Sequence, residues 1–299
     1  MTQEGCEQWL SDFWEAANNS GSKIPIYLAK NPKSTFRAIR FISKLPRLSA
    51  HLSNAPEGVT IQQNLNRVCL AKTLKLANTG ACILSIPEDP AEYSAGSSKQ
   101  TLRRKVRAAV KYGITCRAIT DTMQQRELAT TLDRIIRTKS NPLYRNQDAD
   151  SSDLIGGGLW TVAFSQDGEP LVVAVTPVDG SWALLRSFVS LGDTPQHSDA
   201  RYLLTQAMVE RLADHRVRYL VDSRGPSELP NGLRHFQRML GFRIARIQIS
   251  NTLSAPSRLN NAQHVRSART VRRSFKREIL SPPSLKTDVP ARRSQSATC

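Results

Sequence analysis

Acidic residues, aromatics and paired cysteines are all scarce in this chain of 299 residues. Asp and Glu number 25 against 42 Lys and Arg, giving a formal net charge of +17 and a pI near 10.2. Aromatics make up 6% and are not interleaved with the basic residues. That removes the stacking platform a single-strand nucleic-acid binder uses. The five cysteines, Cys6, Cys69, Cys82, Cys116 and Cys299, are odd in number and never stand as C-x-x-C. Neither a disulfide framework nor a zinc site is expected, and a reducing cytoplasm fits. No uncharged apolar run approaches the ~18–20 residues of a membrane helix. The best, Leu171-Val172-Val173-Ala174-Val175, suits a buried strand. The N-terminal stretch carries Glu4, Glu7 and Asp12 and lacks the basic and apolar regions of a secretory signal. The expectation is a cytoplasmic protein with no transmembrane segment and no metal.

What is plentiful is positive charge, and it is clustered. Residues 252–299 hold ten Lys and Arg against Glu278 and Asp288. That stretch is rich in Ser, Asn and Pro, so it buries too little surface to offset its ordering entropy. It is expected to be a disordered basic tail, with a short helix near 264–279. A second cluster, Lys23, Lys30, Lys33, Arg37, Arg40, Lys44 and Arg47, contains no acid, and a third runs from Lys99 through Arg103, Arg104, Lys105 and Arg107 to Lys111. Basic patches attract nucleic acid, anionic lipid or a phosphorylated cofactor alike. Charge alone therefore implies weak polyanion binding through the tail and names no partner.

Hydrophobic residues, 39% of the chain, suffice for a sizeable core. Residues 7–18 place Trp9, Leu10, Phe13 and Trp14 on one side of a helix. Ser34–Leu48 reads as a basic amphipathic helix with Phe36, Ile39, Ile42 and Leu45 at every third position. Residues 59–86 are mixed, ending in a buried strand, Cys82–Ile86, stopped by Pro87. Thr101–Tyr112 is helical, with Gly113 as its left-handed cap. A strand at 114–119 and a helix at Thr122–Thr138 follow. Gly158–Phe164, Leu171–Thr176 and Trp182–Val189 read as three strands joined at Asp167-Gly168 and Asp179-Gly180, both hairpin signals. Next come a helix Asp199–Asp214, a strand Val217–Val221, a helix Asn231–Leu240 and a strand Arg243–Ile249. The order β-β-β-α-β-α-β predicts an α/β fold of the α+β kind, a mixed and mostly antiparallel sheet covered by helices.

From Trp160 to Ile249 this series resembles the core of the GNAT acyltransferase superfamily, in its FemAB-like branch. Four segments carry the likeness: the basic helix Ser98–Arg107 leading to Lys111-Tyr112-Gly113-Ile114; Asp199-Ala200-Arg201-Tyr202-Leu203-Leu204; Val217-Arg218-Tyr219-Leu220-Val221-Asp222; and Gly232–Leu240 followed by Gly241-Phe242. The resemblance covers about residues 97–250. It implies a GNAT-like acyltransferase domain at 113–251, an N-terminal region at 1–112 packing on it (a degenerate first GNAT half is one form), and the tail at 252–299.

It also implies a site. The donor is acetyl-CoA or another acyl-CoA, the acceptor a small-molecule or peptide amine, and transfer is direct. Some relatives use aminoacyl-tRNA instead. Unpaired N–H groups at Val189, Ser190 or Leu191, where the sheet splays, would bond the thioester carbonyl. The diphosphate would lie on a loop Gln196-His197-Ser198-Asp199-Ala200-Arg201 at the start of the next helix. Aligned on Leu203-Leu204, Pro195 stands where the superfamily has Arg or Gln, and Ser198 and Ala200 where it has glycine. Gln237 occupies the position of the family's general acid and cannot protonate a thiolate. Asp222 and His197 are the remaining candidates for proton transfer. Asp199 has an ordinary reading as a first-turn helix acid, and Asp222 as a partner of Arg224. No cysteine or serine stands in a nucleophile setting, so an acyl-enzyme is not expected. Two alternatives compete: an inactive GNAT-like scaffold, and a DNA-binding protein with a helix-turn-helix near 97–113.

Overall fold

A computed structural model describes residues 3–21, 23–70, 74–140 and 142–251. The chain divides into a unit Met1–Leu253 and a unit Ser254–Cys299. The expected basic tail and its short helix lie outside the described residues.

Three helices open the chain: α1 (Gln3–Asn19), α2 (Ile24–Lys30) and α3 (Pro32–Lys44). Pro25 and Pro32 sit in the first turns of α2 and α3, where a missing N–H costs nothing. Leu10, Phe13, Trp14 and Ala17 meet Ala38, Phe41 and Leu45 in one apolar cluster. The expected helix Ser34–Leu48 ends at Lys44, because Leu45 precedes Pro46, whose ring bars helical backbone at the residue before it. Arg47–Leu52 instead form strand β1.

The stretch with no clear pattern holds α4 (Pro56–Asn66), the short pair β2 (Val68–Leu70) and β3 (Leu74–Lys75), and α5 (Leu76–Thr79). Then come β4 (Ala81–Ser85), α6 (Pro90–Tyr93), α7 (Gln100–Lys111), β5 (Thr115–Ile119) and α8 (Thr122–Thr138). Strands β6 (Leu159–Phe164), β7 (Pro170–Thr176), β8 (Val178–Asp179), β9 (Trp182–Leu185) and β10 (Ser187–Ser190) form the meander. The chain continues through α9 (Pro195–Asp214), β11 (Tyr219–Asp222), α10 (Asn231–Leu240) and β12 (Arg243–Asn251).

The strands lie in the orders β1-β12-β4-β11-β9-β8 and β10-β7-β6-β5, with β2-β3 apart. The ladders β1–β12 and β9–β11 are parallel and the others antiparallel. This is the mixed, mostly antiparallel α/β fold expected. Residues 1–112 do more than pack on it. Their strand β4 lies between β11 and β12, inside the six-stranded sheet.

Alternating side chains send each strand's residues to two faces. Cys82 and Leu84 join Leu102 of α7 and Leu204, Met208 and Leu212 of α9 on one face. Ile83, Leu184 and Val221 join Ile61 and Leu65 of α4 on the other. Val173 and Val175 of β7 pack on Leu128 and Leu132 of α8.

The helix-turn-helix alternative finds no first helix. Strand β4, Pro87 and the four-residue α6 precede α7. The Arg103 guanidinium donates to Ser94 O at 2.7 Å and Gly96 O at 2.6 Å, which ties it to its own chain.

Candidate active site

Strands β9 and β10 are one run from Trp182 to Ser190 with a break in register. Val178 faces Ala183 upstream, whereas Val175 faces Ser187 downstream, so Arg186 is the extra residue of a bulge. Strand β11 follows this run in parallel only from Tyr219–Trp182 to Asp222–Leu185. A last bond, Ser223 N–H to Leu185 O at 3.3 Å, closes the ladder. Beyond it β10 keeps β7 alone, and the sheet opens as a V between β10 and the chain after Asp222.

In an antiparallel ladder alternate residues turn their N–H to the partner strand. Leu191 N–H donates to Leu171 O at 2.8 Å. By register, Val189 opposite Val173 and Ser187 opposite Val175 also face β7. Phe188 and Ser190 therefore turn their N–H groups into the V. Of the expected donors Val189, Ser190 and Leu191, Ser190 has this orientation and the other two are committed to β7. Phe188 is the donor the sequence reading missed. Counting parity back from a paired residue finds it, and only the ladder supplies that residue.

The expected loop 196–201 is helix. Pro195 takes the first helical position with Thr194 extended before it, which starts α9 four residues ahead of Asp199. Ser198 N–H already donates to Thr194 O at 3.1 Å. The N–H groups left over at the helix start are those of Gln196 and His197, at the positive end of the helix dipole. Ser198 Oγ accepts from Arg201 Nη2 at 3.3 Å. Asp199 is buried with its carboxylate 2.6 Å from Lys105 Nζ, and Ala200 is fully buried. These two hold α9 against α7 and present nothing to a ligand. The Arg201 guanidinium lies 5.2 Å from the Phe236 ring centroid, and its buried Nε has no partner. Phe236 also meets Phe188 at 5.9 Å and Tyr202 at 5.1 Å, an apolar wall beside the V.

Lys139, just past α8, is a cation the sequence reading passed over. Its Nζ lies 2.9 Å from Ser190 O and 3.8 Å from Asp193 Oδ1. No local pattern separates it from any helix-terminal lysine; the closure of α8 against β10 places it. His197 Nδ1 is 2.7 Å from Thr194 Oγ1, and its ring rests on Gly192, where a Cβ would stand 2.5 Å from Nε2. Burial lowers the His197 pKa, with Lys139 and Arg201 acting in the same direction and Asp193 against them. The imidazole is thus biased toward the neutral form that accepts a proton.

Asp222 ends β11 and shares a face with Leu220, toward α10. Gln237 Nε2 donates to its Oδ2 at 2.5 Å and the Arg224 backbone N–H to its Oδ1 at 2.7 Å. Burial pushes this carboxyl up to about 6, against those hydrogen bonds and the Arg224 charge. Gln237 is thus the hydrogen-bond partner of the candidate base. His235 is exposed on α10.

A cleft of about 430 Å³ opens at the V and is lined by Asn64, Arg67, Arg186, Ser223, Arg224 and Glu228. Arg67 pairs with Glu228, and Arg186 with Asp153 at 2.7 Å. Asn64 and Arg67 both donate to Ser223 O, at 3.2 and 3.0 Å, which leaves Asn64 Oδ1 buried without a partner. A larger cavity of about 930 Å³ lies behind α10, lined by Cys82, Tyr93, Lys99 and Gln237 among others. Burial raises the Cys82 thiol far above its ordinary pKa, so it is no nucleophile. Among the described residues no cluster of His, Cys, Asp or Glu could hold a metal ion, and no helix is long and apolar enough to cross a membrane.

No protein-family model matches the chain, and no curated protein sequence does. Solved structures with a similar chain path include the C-terminal DUF2156 domain of a protein described as a lysylphosphatidylglycerol synthetase from Agrobacterium fabrum, at 14% identity and a TM-score of 0.41 over 56% of this chain and 57% of that one. The structure of L-PGS from Bacillus licheniformis matches at 12% identity and TM-score 0.43, over 55% of this chain and 57% of that one. FemX matches at 13% identity and TM-score 0.44, over 64% and 66%. The chain thus spans little more than half the length of the first two.

Proposed function

We propose that this chain is an acyltransferase that passes an acyl group from acyl-CoA to an amine. The observation that carries this reading is the V beside β10, where the N–H groups of Phe188 and Ser190 face away from β7, with Lys139 at Ser190 O and the open amides of Gln196 and His197 at the start of α9. A thioester supplies an activated carbonyl; the chain must hold it, orient the amine and take a proton. An N–H of this edge, that of Phe188 or of Ser190, suits the carbonyl and the charge that develops on its oxygen. Lys139, the Gln196 and His197 amides and Arg201, whose Nε lacks a partner, suit the diphosphate. Asp222 or His197 takes the proton the amine sheds as its nitrogen displaces the thioester sulfur. The amine enters by the cleft at Arg186 and Arg224, which favours an acceptor that also carries a carboxylate or phosphate. The setting is a reducing cytoplasm.

Thermal shift at fixed salt against acetyl-CoA, longer acyl-CoAs, charged tRNA and duplex DNA tests the donor. At a hundredfold excess over Kd an acyl-CoA adds about 2.7 kcal/mol, several degrees in Tm. Arg201→Glu is expected to abolish that shift with the fold intact. Stabilisation by charged tRNA alone replaces the donor, and no stabilisation by any acyl-CoA at millimolar concentration rejects the reading. Binding without turnover of any amine favours the inactive scaffold, to which Gln237 lends support.

A further inference from the structure

Helix α3 buries Ala38 and Phe41 against α1, but its opposite side is not covered. Phe36 is 71% exposed and Ile39, one turn on, is 60% exposed. Ile26 of α2 adds a third large apolar side chain, 46% exposed. Large apolar side chains left exposed on two packed helices mark a binding face more often than a solvated one. Lys23, Lys30, Lys33, Arg40, Lys44 and Arg47, on these helices or just beside them in the chain, are exposed. No Asp or Glu occurs between Glu15 and Glu57. Of the acids of α1, Glu7 bonds Arg243 at 2.8 Å, and the Glu15 and Asp12 charges act on Arg234. Arg37, also exposed, lies over Trp9, 4.8 Å from its ring centroid.

We propose that this face of α2 and α3 docks on an anionic lipid bilayer. The charge settles the occupant. Residues 252–299, with ten basic residues, and a second copy of the chain would each bring like charge to like charge. Nucleic acid would satisfy the lysines and arginines but offers nothing to Ile26 and Ile39, which cannot stack on bases. A bilayer with anionic headgroups satisfies both sets. Phe36, Ile39 and Ile26 reach below the headgroups, while the long basic side chains bend up to the phosphates. At thirteen residues α3 is shorter than the ~20 needed to span, so it lies along the surface. This docking is independent of the acyltransferase reading.

The test is sedimentation of the full chain with vesicles of phosphatidylcholine alone and with about one-third phosphatidylglycerol, at moderate salt. The wild type is expected to bind the anionic vesicles and not the neutral ones. Because the basic tail attracts any polyanion, the deciding variant changes no charge. Phe36→Ser with Ile39→Ser is expected to weaken vesicle binding at least about tenfold. Binding of tRNA is expected to stay within about twofold, since phosphate attraction is carried by the unchanged lysines and arginines. Both side chains are exposed, so Tm is expected to hold within about 1 °C. Failure of the wild type to prefer anionic vesicles overturns the proposal. So does vesicle binding that survives the double substitution, and so does an equal loss for vesicles and tRNA.

Discussion

Asp222 sits where β11 leaves the sheet, and its surroundings pull on its proton in opposite directions. Two hydrogen bonds favour the carboxylate, and burial, which dominates, disfavours it. With a folded pKa of about 6 against an ordinary 3.8, the native state holds this proton in a range where the unfolded chain has released it. Its contribution to stability is therefore full below about pH 4 and lost as pH rises through about 6. Asp222→Asn is expected to flatten that part of the stability curve and to raise the unfolding free energy at pH 8 by about 1–2 kcal/mol, after allowing for the residue's partial exposure. The same change is expected to lower acyl transfer at least about a hundredfold, with the loss in kcat rather than KM. Melting curves from pH 4 to about 8 and a pH–rate profile check both, and unchanged turnover removes Asp222 as the base. The place of Asp222 at the end of an apolar strand was legible in the sequence. The place of Lys139 beside Ser190 was not, because that contact exists only once α8 lies beside β10.

At the scale of elements, α10 matters because it carries Phe236 and Gln237 to Arg201 and Asp222. Its end is over-determined. Gly241 takes a left-handed φ of 96°, and the last carbonyl, Leu240 O, accepts from Lys99 Nζ at 2.5 Å and Tyr93 Oη at 2.9 Å. A Cβ on Gly241 would stand 2.5 Å from Lys99 Nζ. Gly241→Ala combines left-handed strain with displacement of that lysine, an expected cost of about 1–2 kcal/mol in urea unfolding. A change below a few tenths would mean that the cap is not holding the helix. Elements of this sort are legible in sequence: the helix ending at Gly241 and the Asp-Gly hairpins fall where local chemistry puts them. The start of α9 was less so, since Pro195 reads equally as a loop former and as a first helical residue. The bulge at Arg186 was hidden, because a break in register is a relation between two strands.

At the scale of the whole molecule, the sheet is not divided where the family likeness divides the chain. Residues 113–251 carry the V and the proposed donor site, yet β12 has β1 and β4 as its neighbours, and both come from the first 112 residues. Strand β4 pairs with β11 through Ser85, Leu84 and Ile83 and with β12 through Ile83, Cys82 and Ala81, and Ile83 and Leu84 are buried. Without residues 1–112, β11 becomes an edge, β12 loses both β1 and β4, and two buried faces meet water. Asn64 and Arg67, which tie α4 to Ser223 at the V, would go as well. A chain of residues 113–251 alone is therefore expected to lack a cooperative thermal transition and to bind a hydrophobic dye, as a collapsed chain with exposed apolar surface does. Co-expression with residues 1–112 is expected to restore a two-state melt, because the missing strand can pair from a separate chain. A cooperative melt of 113–251 on its own would show that the sheet closes without β4, and that the first 112 residues pack on a domain already complete.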